Sequence, residues 1–188
     1  FEMNLNDELK LILEEEKLRA LTVLLQKWNP VINLVSKSTL PAAWERHIVD
    51  SAQLFALPSG QHWCDLGSGG GFPGLVIAIL AQQDAERKVT LVEVDQRKAT
   101  FLREAIRQFG LTATVLTARV EEVDPLQADV LSARALAPLD TLCSFARRHL
   151  SPGGIALFPK GARWRREVEA ARKAWAFDVE AIPSETDT

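Results

Sequence analysis

Apolar and polar positions fall into two regimes along this chain. Leu5, Leu9, Ile12, Leu13, Leu18, Leu21, Leu24 and Leu25 recur near helical spacing. That pattern predicts one amphipathic helix over residues 5–28, or two joined near Glu16-Lys17, ended by Pro30. A connection rich in Asn, Ser and Thr follows from Val31 to Leu40. Pro41 then marks a first helical turn, and residues 42–57 repeat the helical pattern. Beyond Pro58-Ser59-Gly60 the period changes. Short apolar runs now alternate with amphipathic stretches. Strands are predicted at the run ending near Leu66 and over 89–94, 112–118, 128–132 and 155–159. Helices are predicted from Leu75 to Ala81 and over 98–109, 139–150 and 163–174. Gly110 closes the second of these, and Pro152-Gly153-Gly154 stops the third.

Strands separated by helices of this length predict an α/β fold, a doubly wound, mostly parallel Rossmann-like sheet. Residues 1–58 read as an N-terminal helical extension packed on the core. Residues 59–188 read as the ligand-binding core, the two together forming one structural unit.

Composition narrows this only a little. The chain has 188 residues, 47% hydrophobic and 25% charged, as in an ordinary soluble domain. Its longest apolar run, Phe72 to Ala81, is too short to span a membrane. No secretory leader is apparent, so a cytoplasmic location is expected. Cys64 and Cys143 stand apart without a C-x-x-C motif, which predicts buried thiols and no metal site. The net charge of −3 hides a polarity. Residues 144–175 carry eight Lys and Arg against two Glu, a candidate basic face whose plainer reading is a solvated helix.

The chemistry concentrates between Asp65 and Gly74, where five glycines fall within eight residues. A strand that breaks into glycine and restarts as a helix lets a ligand sit against backbone N–H groups. Gly69, Gly71 and Gly74 satisfy the dinucleotide spacing G-x-G-x-x-G. Asp65, Gly67, Gly69 and Gly71 satisfy D-x-G-x-G-x-G instead. A carboxylate at Asp65 would repel a pyrophosphate and attract a sulfonium, which points to S-adenosylmethionine (SAM). Glu93, at the end of the next strand, is placed to accept ribose hydroxyls. Val120 and Glu121, after the third strand, are candidates for the adenine edge. Arg134, after the fourth strand, should face the crevice, because burying it unpaired is costly. Neither an Asn-Pro-Pro-aromatic motif nor a Pro-Cys nucleophile is present, so the acceptor atom needs no activation.

Six motifs then occur in one order. They are Trp28-Asn29-Pro30-x-Ile32-Asn33-Leu34, Arg46-His47-Ile48-x-Asp50-Ser51, Gly71-Phe72-Pro73-Gly74, Arg119-Val120-Glu121, Ser132-Ala133-Arg134-Ala135 and Phe158-Pro159-Lys160-Gly161. From about residue 5 to residue 185 the series resembles the RsmG family (glucose-inhibited division protein B). These are bacterial methyltransferases acting on a guanine N7 in 16S ribosomal RNA. The resemblance implies SAM contacts at Gly67, Phe72, Val120, Glu121 and Arg134. It implies a 16S rRNA or small-subunit partner; a monomer without a metal is expected. Arg46, His47, Arg134 and Lys160 are then placed to hold RNA phosphate or the guanine carbonyl edge. His47 has an alternative as a helix-packing residue bonded to Asp50. Arg163, Arg165 and Arg166 would extend a phosphate track, and Arg134 and Lys160 would position the acceptor.

The chain departs from the family in having Ile32 where an aromatic residue is usual, and in having no Tyr. Family members continue into a terminal strand pairing antiparallel with one around 177–182. Its absence predicts an exposed edge next to Val179. The rival readings are a SAM enzyme for a small molecule, an NAD-dependent oxidoreductase and a non-catalytic RNA-binding module.

Overall fold

The computed structural model describes residues 5–57 and 60–186. Helix α1 runs from Leu5 to Ile32 and is followed by a 3-10 turn, Leu40–Ala42. A π-helical stretch, Trp44–Val49, leads directly into α2, Asp50–Phe55. The core then alternates β1 (His62–Leu66), α3 (Gly74–Leu80), β2 (Lys88–Val92), α4 (Gln96–Phe109), β3 (Ala113–Leu116), β4 (Ala128–Ser132), α5 (Leu139–His149), β5 (Leu150–Leu157) and α6 (Trp164–Ala171). All four strand pairings are parallel and the sheet order is β3-β2-β1-β4-β5. Chain direction across the sheet reverses between β1 and β4, the place where α/β sheets open a ligand crevice.

Two apolar layers cover the sheet. One joins Leu18, Leu21 and Leu25 of α1 to Leu75 and Ile79 of α3 and to Phe101 and Leu102 of α4. The helical extension thus shares a core with the sheet. The other joins Cys64, Leu66, Val92 and Leu131 to Leu142 and Phe145 of α5 and to Val168 and Ala171 of α6.

Several expected boundaries move. Pro30 does not end α1; it lies inside the last turn. The stop is Asn33 at φ 50°, a left-handed residue whose N–H reaches the Asn29 carbonyl at 2.9 Å. The expected helix over 42–57 divides into 3-10, π and α segments. Val94 is exposed and lies outside β2, so Glu93 follows the strand rather than ending it. Pro152-Gly153-Gly154 lies within β5 at a register shift opposite β4, and α5 passes into β5 without a loop. Helix α6 is shorter than predicted, and no strand forms over 177–182. Among the described residues β5 is the sheet edge beyond β4, and Val179 lies in irregular chain.

Candidate functional site

Asp65 ends up inside the protein, 1% exposed. Its Oδ2 accepts the Gly74 N–H at 3.2 Å and its Oδ1 accepts the Ser132 hydroxyl at 2.7 Å. Ser132 in turn accepts the Trp63 indole N–H at 2.9 Å. Burial raises the Asp65 carboxyl to about 6, against the opposing pull of Ser132, Ser68 and Gly74. The expectation that Asp65 meets a sulfonium in the open crevice is therefore corrected. This side chain ties the start of α3 to β4 from beneath the loop. The start of α3 is likewise occupied, because Leu75 N–H reaches the Gly71 carbonyl at 2.7 Å. The third glycine of the dinucleotide spacing serves packing. A Cβ on Gly74 would stand 2.3 Å from Leu91 and 2.6 Å from Asp65 Oδ2.

The carboxylate that does meet the loop is Glu93. Its Oε2 accepts the Gly69 N–H at 2.7 Å and its Oε1 accepts the Asp95 N–H at 2.8 Å. A carboxylate has about four acceptor positions, so both oxygens retain capacity for the vicinal hydroxyls of a ribose. Gly69 has φ 53°, and a Cβ there would meet nothing nearer than the Gly67 carbonyl at 3.8 Å. Open space thus lies over a bare glycine beside a carboxylate, which fits an adenosyl ligand.

Val120 and Glu121 form a 3-10 turn, Val120–Glu122, after β3. Val120 is buried, whereas Glu121 is exposed with Arg119 at 3.6 Å. Two residues outside the sequence motifs hold this turn. The buried His149 places Nε2 3.0 Å from the Val120 carbonyl. Arg148 donates to the Val123 carbonyl from Nε at 3.1 Å and Nη2 at 2.8 Å. Their signal in the sequence is the cluster of basic residues in the last turn of α5.

On the other side of the β1/β4 switch stands Arg134. Its Nη2 donates to His47 Nδ1 at 3.0 Å. Its guanidinium lies 5.7 Å from the centre of the Phe72 ring, on which His47 also stacks at 5.0 Å. His47 is not bonded to Asp50; its Nε2 faces Thr39 Oγ1 at 3.1 Å. Burial, followed by the charge of Arg134, lowers the imidazole to about 4. Burial also lowers the Arg134 guanidinium, with Asp50 and Asp65 opposing.

Arg134 opens onto a cavity of about 490 Å³, lined by Asp50, Glu167 and residues 134–137 and 159–161. That volume suits a nucleobase or small ligand. Lys160 lines it, donating to Glu167 Oε2 at 2.7 Å and to the Ala137 carbonyl at 3.0 Å. Lys160 therefore belongs to the cavity wall rather than to an open phosphate track. Arg46, Arg163, Arg165 and Arg166 are exposed. The last three surround the first turn of α6, just beyond the cavity-lining Gly161, with Arg165 resting over Trp164 at 5.1 Å. Cys64 is buried with its thiol pushed up to about 12, which makes it inert. Among the described residues no cluster of His, Cys, Asp and Glu could hold a metal.

Solved structures share this fold at low identity. A SAM-dependent methyltransferase from Aquifex aeolicus matches with TM-score 0.52 and 16% identity over 70% of this chain and 82% of its own. Pyrococcus horikoshii TYW2, in complex with MeSAdo, matches with TM-score 0.54 and 15% identity over 68% and 46%. Sequence relatives are much nearer. The ribosomal RNA small subunit methyltransferase G of Ruegeria pomeroyi is 53% identical over 92% of this chain and 85% of its own length. That of Paracoccus denitrificans is 48% identical over 93% and 90%. The profile of one family, GidB, rRNA small subunit methyltransferase G, spans residues 14–186. With its glycine loop, its Glu93 carboxylate and its Arg134-lined cavity, the chain belongs to the rRNA small subunit methyltransferase G (GidB) family.

Proposed function

We propose that this protein transfers a methyl group from SAM to N7 of a guanine in 16S ribosomal RNA, free or within the small subunit, in the cytoplasm. One observation carries the reading: Arg134 is shared by two sites. It touches the loop residue Phe72 on one side and lines the 490 Å³ cavity on the other. A cofactor over the loop and a base in the cavity would meet at that residue.

Bound SAM supplies an electrophilic methyl group on a sulfonium. Glu93, beside Gly69, would hold its ribose hydroxyls, and the Val120–Glu122 turn would border its adenine. Guanine N7 carries an in-plane lone pair and no proton, so the chain has no proton to remove. Arg134 and Lys160 are donors for the guanine O6 or a flanking phosphate, which leaves N7 free to attack. His47 and Phe72 stack on each other beside Arg134 and fix its place at the cavity wall. The catalytic contribution is alignment, worth up to about 7–11 kcal/mol in favourable cases. Exposed Arg46, Arg163, Arg165 and Arg166 extend the contact to RNA phosphates.

The test is nucleoside mass spectrometry of ribosomal RNA from cells with and without the protein. Loss of one 7-methylguanosine from the small-subunit RNA, restored by the purified protein with SAM, is the expected result. An unchanged nucleoside profile overturns the assignment.

A further inference from the structure

Two carboxylates line the cavity, and they differ in how much of their accepting capacity is taken. Glu167 Oε2 receives both Lys160 Nζ and the Leu139 N–H, so it is committed to holding the walls together. Asp50 is different. It begins α2, three residues after His47 on the π-helical stretch, so one segment sets His47 against Phe72 and Asp50 into the cavity. Both of its described hydrogen bonds fall on Oδ1, from Ser184 Oγ at 2.8 Å and Thr186 Oγ1 at 3.4 Å. Both donors are neutral hydroxyls. Its charge also opposes the burial of Arg134, so a cation and an anion face the same space.

We propose that Asp50 reads the acceptor base, its carboxylate accepting from N1–H and N2–H of the guanine; this rests on the methyl transfer proposed above. Guanine alone among the RNA bases presents two adjacent donors on its Watson–Crick edge. Adenine and cytosine place an acceptor at the central position, and uracil places a single N–H between two carbonyls. Oδ2, which neither the Ser184 nor the Thr186 hydroxyl reaches, has two lone pairs for these two donors and disfavours the other three bases. A guanine held by N1–H and N2–H keeps N7, whose lone pair points roughly at right angles to that edge, unengaged and free for methyl transfer. Arg134 and Lys160 contribute donors from the same cavity for O6 or phosphate, so acceptors and donors on the base both find complements.

The test uses small-subunit particles assembled on transcripts made with a low fraction of inosine triphosphate in place of guanosine triphosphate. Inosine lacks only N2–H, and the ratio of 7-methylinosine to 7-methylguanosine gives the preference by internal competition. Wild-type protein should disfavour inosine by ~10-fold, the worth of one hydrogen bond to a charged group. Asp50→Asn and Asp50→Ala should lower total methylation and bring the preference below about threefold, with SAM affinity by calorimetry unchanged. Arg134→Gln should lower both products in parallel. If the Asp50 variants lose rate but keep the wild-type preference, Asp50 only supports Arg134 and the proposal is overturned. If wild-type protein makes no 7-methylguanosine at all, the function itself fails instead.

Discussion

Arg134 donates from Nη2 to Nδ1 of His47, 3.0 Å away across 87 positions of sequence. A ring nitrogen that accepts carries no proton, so the hydrogen of this imidazole sits on Nε2, facing Thr39. His47 should stay neutral from about pH 5 to about pH 8 and take up its proton near 4. The unfolded chain takes it up near the ordinary ~6.5. Between those values the unfolded state binds more protons. Stability contributed here is complete above ~6.5 and is lost as pH falls toward 4. An NMR titration of the His47 ring checks this, and a midpoint above 6 contradicts it.

Asp65 works in the other direction. Its folded carboxyl titrates at about 6 and its unfolded one near ~3.9. The folded state binds more protons between them, so the contribution of this group is complete at low pH and falls as pH rises through 6. Asp65→Asn should remove that slope, read from denaturant melts between about pH 4.5 and about pH 7. Asp65→Ala should be worse than either form, because it leaves the Gly74 N–H and Ser132 hydroxyl without their shared acceptor. A cost of about 2–4 kcal/mol is expected.

Gly69 separates binding from folding. Its φ of 53° strains any L residue, yet a Cβ there meets open space. Gly69→Ala should cost about 1 kcal/mol of stability. Gly69→Val places branched bulk in the same space and should abolish SAM binding in a titration calorimeter. Folded Gly69→Val protein that binds SAM normally would move the cofactor elsewhere.

Arg165 and Arg166 project from α6 and are exposed. If they meet phosphate, replacing both by Ala should flatten the dependence of log RNA affinity on log salt. The change should be about 0.7 for each single-strand phosphate that is no longer neutralised. SAM affinity should not change. An unaltered slope would make this helix a solvated face.

The α5 terminus offers a test at a distance from the crevice. His149 and Arg148 hold carbonyls of the turn that borders the proposed adenine site. Arg148→Ala should raise KM for SAM several-fold and leave kcat little changed, since its hydrogen bonds orient a binding turn. A fall in kcat alone would place Arg148 in a different role.

The parallel sheet and the glycine loop were legible because each rests on local pattern: apolar runs of strand length, glycines at a turn, an acid after a strand. Gly69 and Glu93 meet because both follow strand ends in a parallel sheet. What the pattern could not convey was direction. Asp65 occupies an alternating strand position, and only the Ser132 hydroxyl on the neighbouring strand and the Gly74 N–H draw it inward. His47 was ambiguous because its partner, Arg134, lies in a distant segment. The π-helical stretch left no trace, as apolar spacing over a few residues does not distinguish five-residue from four-residue hydrogen bonding. Lys160 is placed by its motif and its charge, but its carboxylate partner Glu167 lies across the loop, inside α6.

Trp63, buried in β1, donates its indole N–H to Ser132, which donates to Asp65. An indole is therefore wired by two hydrogen bonds to a carboxylate that gains or loses its charge near pH 6. Indole emission responds to the electric field across the ring, so the colour of Trp63 fluorescence carries the charge state of Asp65. With the other four tryptophans replaced by Phe, the protein becomes its own optical gauge of the loop anchor, with no dye added.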